Sequence, residues 1–162
     1  MHMMNLITRV GWEVRSALYE EQMTASHAAH EETIRILRET SRELVDFMLF
    51  VDEARLTSTI EGKSGFTQRF SMEGPADHKG RSLRQLDLHH RLMRYPCSYM
   101  IYSEAFDGLP AEVKDTVYKR MWQVLSGQDQ SSKYARRSSN DRNSILEILR
   151  ETKKGLPDYF YQ

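Results

Sequence analysis

The sequence predicts an all-α fold. Three observations carry that expectation: apolar residues recur at helical spacing along much of the chain, no glycine or proline falls between Gly11 and Gly62, and the last two apolar runs are bracketed by helix start and stop residues. The expected architecture is a single helical domain. A long helical hairpin is followed by short helices and two C-terminal amphipathic helices, with a long irregular loop around residues 56–82. A chain of 162 residues can bury roughly 70% of the surface its unfolded form exposes, so it needs no covalent staple.

Taken in order, Leu6, Val10, Val14, Ala17 and Leu18 keep to one side of a 3.6-residue period, which places a helix over about residues 5–23. The segment TASHAAHEE that follows has alanines but no apolar stripe. A second helix is expected over about residues 29–54, burying Ile34, Leu37, Leu44, Phe47, Met48 and Val51 and turning Glu43, Asp46 and Glu53 to solvent. One continuous rod through both would be about 75 Å long and would need a partner chain, whereas a hairpin buries both stripes within one chain. The hairpin is the expected form. Glycines at 62, 65, 74 and 80 and Pro75 then break the pattern, leaving a short helix over 65–72 behind Ser64 as N-cap. Leu83, Leu86, Leu88 and Leu92 suggest a further short helix.

The closing helices have the clearest boundaries. Pro110 suits a first helical turn, Val113, Val117, Met121, Val124 and Leu125 form a stripe, and Gly127 ends it. Ser138 and Asp141 form a capping pattern before Ile145, Ile148 and Leu149, and Gly155 with Pro157 stops the run.

Charge excludes more than it suggests. With 23 basic and 23 acidic side chains the net charge is zero, which gives no general attraction to nucleic acid or an anionic membrane. The longest apolar run, Phe47 to Val51, is far short of the roughly 20 residues a bilayer crossing needs, and charges interrupt any signal-like stretch at the start. The chain reads as soluble and, by default, cytoplasmic.

The only cysteine, Cys97, lies in RYPCSYMIYSEAFDGLP. Tyr95, Tyr99, Tyr102 and Phe106 fall on one side if this stretch is helical, with Pro96 and Cys97 in its first turn. A thiol at a helix start can be activated by the helix dipole, and a nucleophilic Cys97 would need a base such as His89 or His90. The bland reading, a small buried side chain among aromatic rings, is the expected one.

Other groups are weighed in the same way. His27 and His30 could present two imidazoles to a metal ion, but two ligands do not make a site, and no metal or cofactor is expected. GKSG at 62–65 lacks the glycine at 57 that a phosphate loop requires. Arg81, Arg84, Arg91 and Arg94 form the sharpest local charge imbalance and are the candidate anion-binding residues, for a phosphate, a carboxylate or a nucleic-acid backbone. The alternative has them pairing with the acidic face at Glu43, Asp46, Asp52 and Glu53.

LFVDEA (49–54), SGFTQRF (64–70), GRSLRQLDL (80–88), RYPCSYMIYSEAFDGLP (94–110), VYKRMWQVLSG (117–127) and DRNSILEILRETK (141–153) together resemble the carboxy-terminal region of a set of long, uncharacterised bacterial proteins. Arg55 stands where that pattern has a proline. The resemblance implies one module of a larger polypeptide and carries no activity or residue roles. The expected function is therefore a non-catalytic interaction or structural module with a protein partner, self or other. An anion- or nucleic-acid-binding domain and a cysteine-dependent enzyme are the alternatives.

Overall fold

Helical periodicity becomes helix where local caps agree with it, and departs from it where a proline or a serine offers the backbone a different bond. The computed structural model describes residues 2–62, 64–135 and 137–162, His2 by its backbone alone. Among the described residues the chain is 60% helical with six α-helices and no strand, so the all-α class holds. These are α1 (His2–Thr24), α2 (His27–Met48), α3 (Phe66–Met72), α4 (Glu104–Asp107), α5 (Ala111–Leu125) and α6 (Ser139–Thr152). The chain forms two compact units, one of Met1–Met48 with Met100–Met121 and one of Leu49–Tyr99 with Trp122–Gln162.

The first unit contains the helical hairpin. Its turn is only Ala25 and Ser26: Ala25 takes a left-handed φ of 48°, its N–H closes on the Glu21 carbonyl, and Ser26 Oγ accepts the Ala29 N–H. The segment without an apolar stripe is thus mostly helix. Leu6, Ile7, Val10, Val14 and Ala17 of α1 are buried, as are Leu44, Val45 and Met48 of α2. Burying each larger aliphatic contributes about 1.5–3 kcal/mol.

The inner face of α2 differs from expectation. Thr33, Thr40 and Ser41 are buried, while Ile34 and Phe47 are about half exposed. Thr33 Oγ1 donates to Ala29 O and lies 3.3 Å from Ala17 O, and Thr40 Oγ1 donates to Ile36 O, so both hydroxyls are satisfied by helix carbonyls and can be buried without penalty. Helix α2 also ends at Met48 rather than near 54, because Phe50 adopts a left-handed φ of 50°. Within the same unit, Arg15 Nη2 donates to Gly108 O at 2.6 Å, and a Cβ on Gly11 would come within 3.2 Å of Leu109. Phe106 meets Tyr118 edge to face, and Val113, Val117 and Met121 of α5 complete the buried set.

The stretch around Cys97 is not one helix. It divides into a 3₁₀ turn at Tyr99–Tyr102 and the single-turn α4. Pro96 disfavours helical backbone at Tyr95, and Ser103 sits at ψ 148° with its Oγ accepting the Phe106 N–H, which restarts the chain as a new helix. Cys97 therefore precedes the 3₁₀ turn and lies in no helical first turn. Tyr95 and Tyr99 belong to the second unit, Tyr102 and Phe106 to the first.

In the second unit, α3 forms where expected, although Gly65, at φ 68°, is its N-cap and Ser64 assists through the Phe66 N–H. Residues 83–92 are not helical. Leu86 bridges Met93 in antiparallel fashion, with Arg94 N donating to Gln85 O and Asp87 N to Leu92 O, and Leu88 turns at φ 63°. Helix α6 begins as expected: Ser138 Oγ accepts the Asp141 N–H at 3.0 Å. Ile145, Ile148, Leu149 and Phe160 are buried in this unit.

Candidate functional site

Four places in the molecule are candidates for a functional site, beginning with the outer side of α1. Trp12, Tyr19 and Met23 are 68%, 63% and 68% exposed. They recur at intervals of seven and four residues, on the side of the helix turned away from Ile7, Val10 and Val14. Exposed Arg15 and Glu20 flank them. This second stripe went unread in the sequence because the core stripe of the same helix is denser. The seven-then-four spacing was the signal that could have found it.

The arginine segment is engaged rather than open. Arg81 Nε donates to Asp77 Oδ2 at 2.7 Å and Arg81 Nη2 to Glu147 Oε2 at 2.6 Å, where Lys79 Nζ also arrives at 2.9 Å. Burial opposes ionisation of Asp77. Bonds from the backbone and side chain of Arg81, helped by the Lys79 N–H, outweigh it and hold the carboxyl below its usual range. Arg84 lies over the rings of Phe70 and Tyr99, 4.2 and 4.6 Å from their centroids, and pairs with Glu73 at 2.7 Å. Arg91 forms a two-pronged pair with Asp141, at 2.7 and 3.0 Å, on the first turn of α6. Arg94 is exposed, its guanidinium 5.8 Å from the Tyr95 ring. Arg81, Arg84 and Arg91 meet separate carboxylates, respectively Asp77 with Glu147, Glu73, and Asp141 with Asp87, and the charge of Glu53 also acts on Arg91. Glu43 accepts from Arg9, and Glu53 from the Leu92 N–H.

Cys97 is fully buried. Burial pushes its thiol up to about 12, with the charge of Arg137 opposing, so the sulfur carries its proton at neutral pH. His89 and His90 are exposed, His89 near Thr59 Oγ1 at 3.3 Å and His90 3.7 Å from Asp87. The other histidine pair is held by carboxylates: His30 Nδ1 lies 2.6 Å from Glu21 and His27 Nε2 3.6 Å from Glu31, both exposed. Among the described residues no cluster of three or more histidine, cysteine or carboxylate side chains could hold a metal ion. Nor is any described helix long and apolar enough to cross a membrane.

The second unit also contains a cavity of about 580 Å³ that sequence reading did not anticipate. Val51, Leu56, Pro96 and Tyr134 supply apolar wall, and Arg137 reaches it while only 8% exposed. Arg137 Nη1 donates to Pro96 O at 2.6 Å and Nη2 to Leu49 O, while its Nε has no acceptor. The partners of Arg137 lie 41 and 88 residues away along the chain, so no local pattern could have revealed the arrangement. Neither family models, nor curated proteins, nor solved structures match this chain.

Proposed function

We propose that the protein is a non-catalytic helical interaction module whose contact surface is the outer face of α1, and that its partner is a second copy of the chain. The observation that carries this reading is the line of Trp12, Tyr19 and Met23, three large and mostly exposed side chains on one side of a 23-residue helix. Scattered apolar residues on a surface are ordinary, but large ones repeating at seven and four residues are what a helix presents to another helix. Arg15 and Glu20 flank the line five residues apart. That is the offset at which flanking charges meet when two identical helices pack in parallel, so the surface complements itself. A non-catalytic role is further supported by the protonated, buried thiol of Cys97 and by exposed histidines held by carboxylates.

The test is mass in solution. Light scattering of the unaltered chain at about 100 μM should give twice the mass of one chain, and Trp12→Ser with Tyr19→Ser should return a monomer with unchanged helical circular dichroism. A monomer before substitution, or a dimer that survives it, would defeat the proposal.

A further inference from the structure

The cavity of the second unit combines two features that bear on what it could hold. It is large: at about 30 Å³ per water molecule, 580 Å³ is room for roughly twenty waters. Its size falls in the range of small-molecule pockets, roughly 300–1,000 Å³. It is also lined by a buried cation, Arg137. Arg137 uses two of its five N–H groups, on the carbonyls of Pro96 and Leu49, and meets no carboxylate within ion-pair distance among the described residues.

A buried guanidinium bonded only to neutral carbonyls keeps its desolvation penalty largely uncompensated. Burial accordingly pushes the pKa of Arg137 down from its ordinary value, with Asp141 and Tyr134 among the groups opposing and the charge of Arg91 adding to the effect. The other cations of the lining differ. Arg91 is taken by Asp141, Arg55 is exposed, and Lys133 packs 5.0 Å from the Tyr134 ring centre.

We infer that this cavity binds an organic carboxylate, seating its charged end against Arg137 and an apolar or aromatic body along Val51, Leu56, Pro96 and Tyr134. A bare inorganic ion would leave most of the volume as water. A phosphate dianion is disfavoured because Glu53 and Asp87 also line the cavity. One negative charge neutralises Arg137, whereas a second would share the cavity with those two carboxylates. The site lies wholly within the second unit and does not depend on pairing through α1.

The experiment follows amide chemical shifts of the whole protein titrated with 3-phenylpropanoate, with its uncharged amide, and with inorganic phosphate, each to about 10 mM. The acid should move resonances of residues 50–56, 96 and 134, and the amide and phosphate should bind about tenfold more weakly or not at all. Arg137→Gln should bring the acid down to the level of the amide. Should that variant unfold, Ala54→Glu decides, because Ala54 is exposed and lines the cavity: the added carboxylate should weaken the acid about tenfold and leave the amide unchanged. Equal binding of acid and amide, shifts elsewhere in the molecule, tighter binding of phosphate, no binding of any probe, or indifference of the acid to Ala54→Glu would each overturn the inference.

Discussion

Arg84 shows how one side chain can organise a loop. Its guanidinium lies against both Phe70 and Tyr99, which themselves meet edge to face at 5.4 Å, donates through Nε to Phe70 O, and closes on Glu73, while its stem lies where a Cβ on Gly74 would clash at 2.5 Å. Ring contacts of this kind contribute about 0.5–1 kcal/mol each, and the partly exposed ion pair somewhat less. Arg84→Ala should therefore lower stability by about 1–2 kcal/mol, read as a shift of the urea midpoint with unchanged slope. Arg84→Lys should recover only part of this, since an ammonium has no planar face to lay against a ring. A loss below about 0.3 kcal/mol would mean the residue merely lies on the loop. Tyr99 was legible as an aromatic in an apolar stretch. Its use as one half of an arginine clamp was not, because the other half comes from 29 positions earlier at Phe70.

At the level of elements, α6 is held to the segment of residues 77–91 by carboxylates that are easier to ionise in the folded chain than in the unfolded one. Asp141 is opposed by burial but lowered by Arg91, Glu147 is lowered by Lys79 and Arg81, and Glu151 by the backbone N–H and ring of His78. Asp77 behaves like Asp141. A depressed carboxyl pKa means that the unfolded state binds more protons, so stability rises with pH through this window. The contribution is complete above the ordinary values of 3.8 and 4.5 and is lost as pH falls below them toward the folded values. Urea midpoints should stay flat from neutrality to about pH 5 and fall steeply below it. The double variant Asp77→Asn with Asp141→Asn should make that fall shallower, and an unchanged slope would show that these pairs do not govern acid stability. Helix α6 itself was legible from Ser138, Asp141 and the glycine and proline beyond it, because caps act on the neighbouring turn. The single helix expected to start around Pro96 and end at Asp107 and Gly108 was misread for the same local reason, since Pro96 and Ser103 outweighed the ring spacing.

At the scale of the whole molecule, zero net charge and an exposed aromatic line both favour association over long-range repulsion. The chain has two tryptophans, Trp12 and Trp122, so Trp122→Phe leaves Trp12 as the sole reporter. Acrylamide quenching of that emission should be strong at sub-micromolar protein and should weaken as concentration rises and the line becomes covered. Quenching independent of concentration would show that Trp12 stays in water. Trp122 meets Tyr159 edge to face at 5.7 Å, so the phenyl ring of the variant keeps most of that contact.

The amino-acid sequence alone determined the all-α class, the hairpin, the caps of α6 and the inner stripe of α5, because each rests on interactions between residues within one or two turns. It also settled that no internal disulfide could exist, since one cysteine has no partner. The tertiary structure decided which face of α2 is buried, which carboxylates the arginines meet, and that Arg137 lies buried beside a cavity, bonded to the carbonyls of Pro96 and Leu49. Those outcomes depend on groups brought together from tens of residues apart, and spacing along the chain carries no information about charges that meet only after folding.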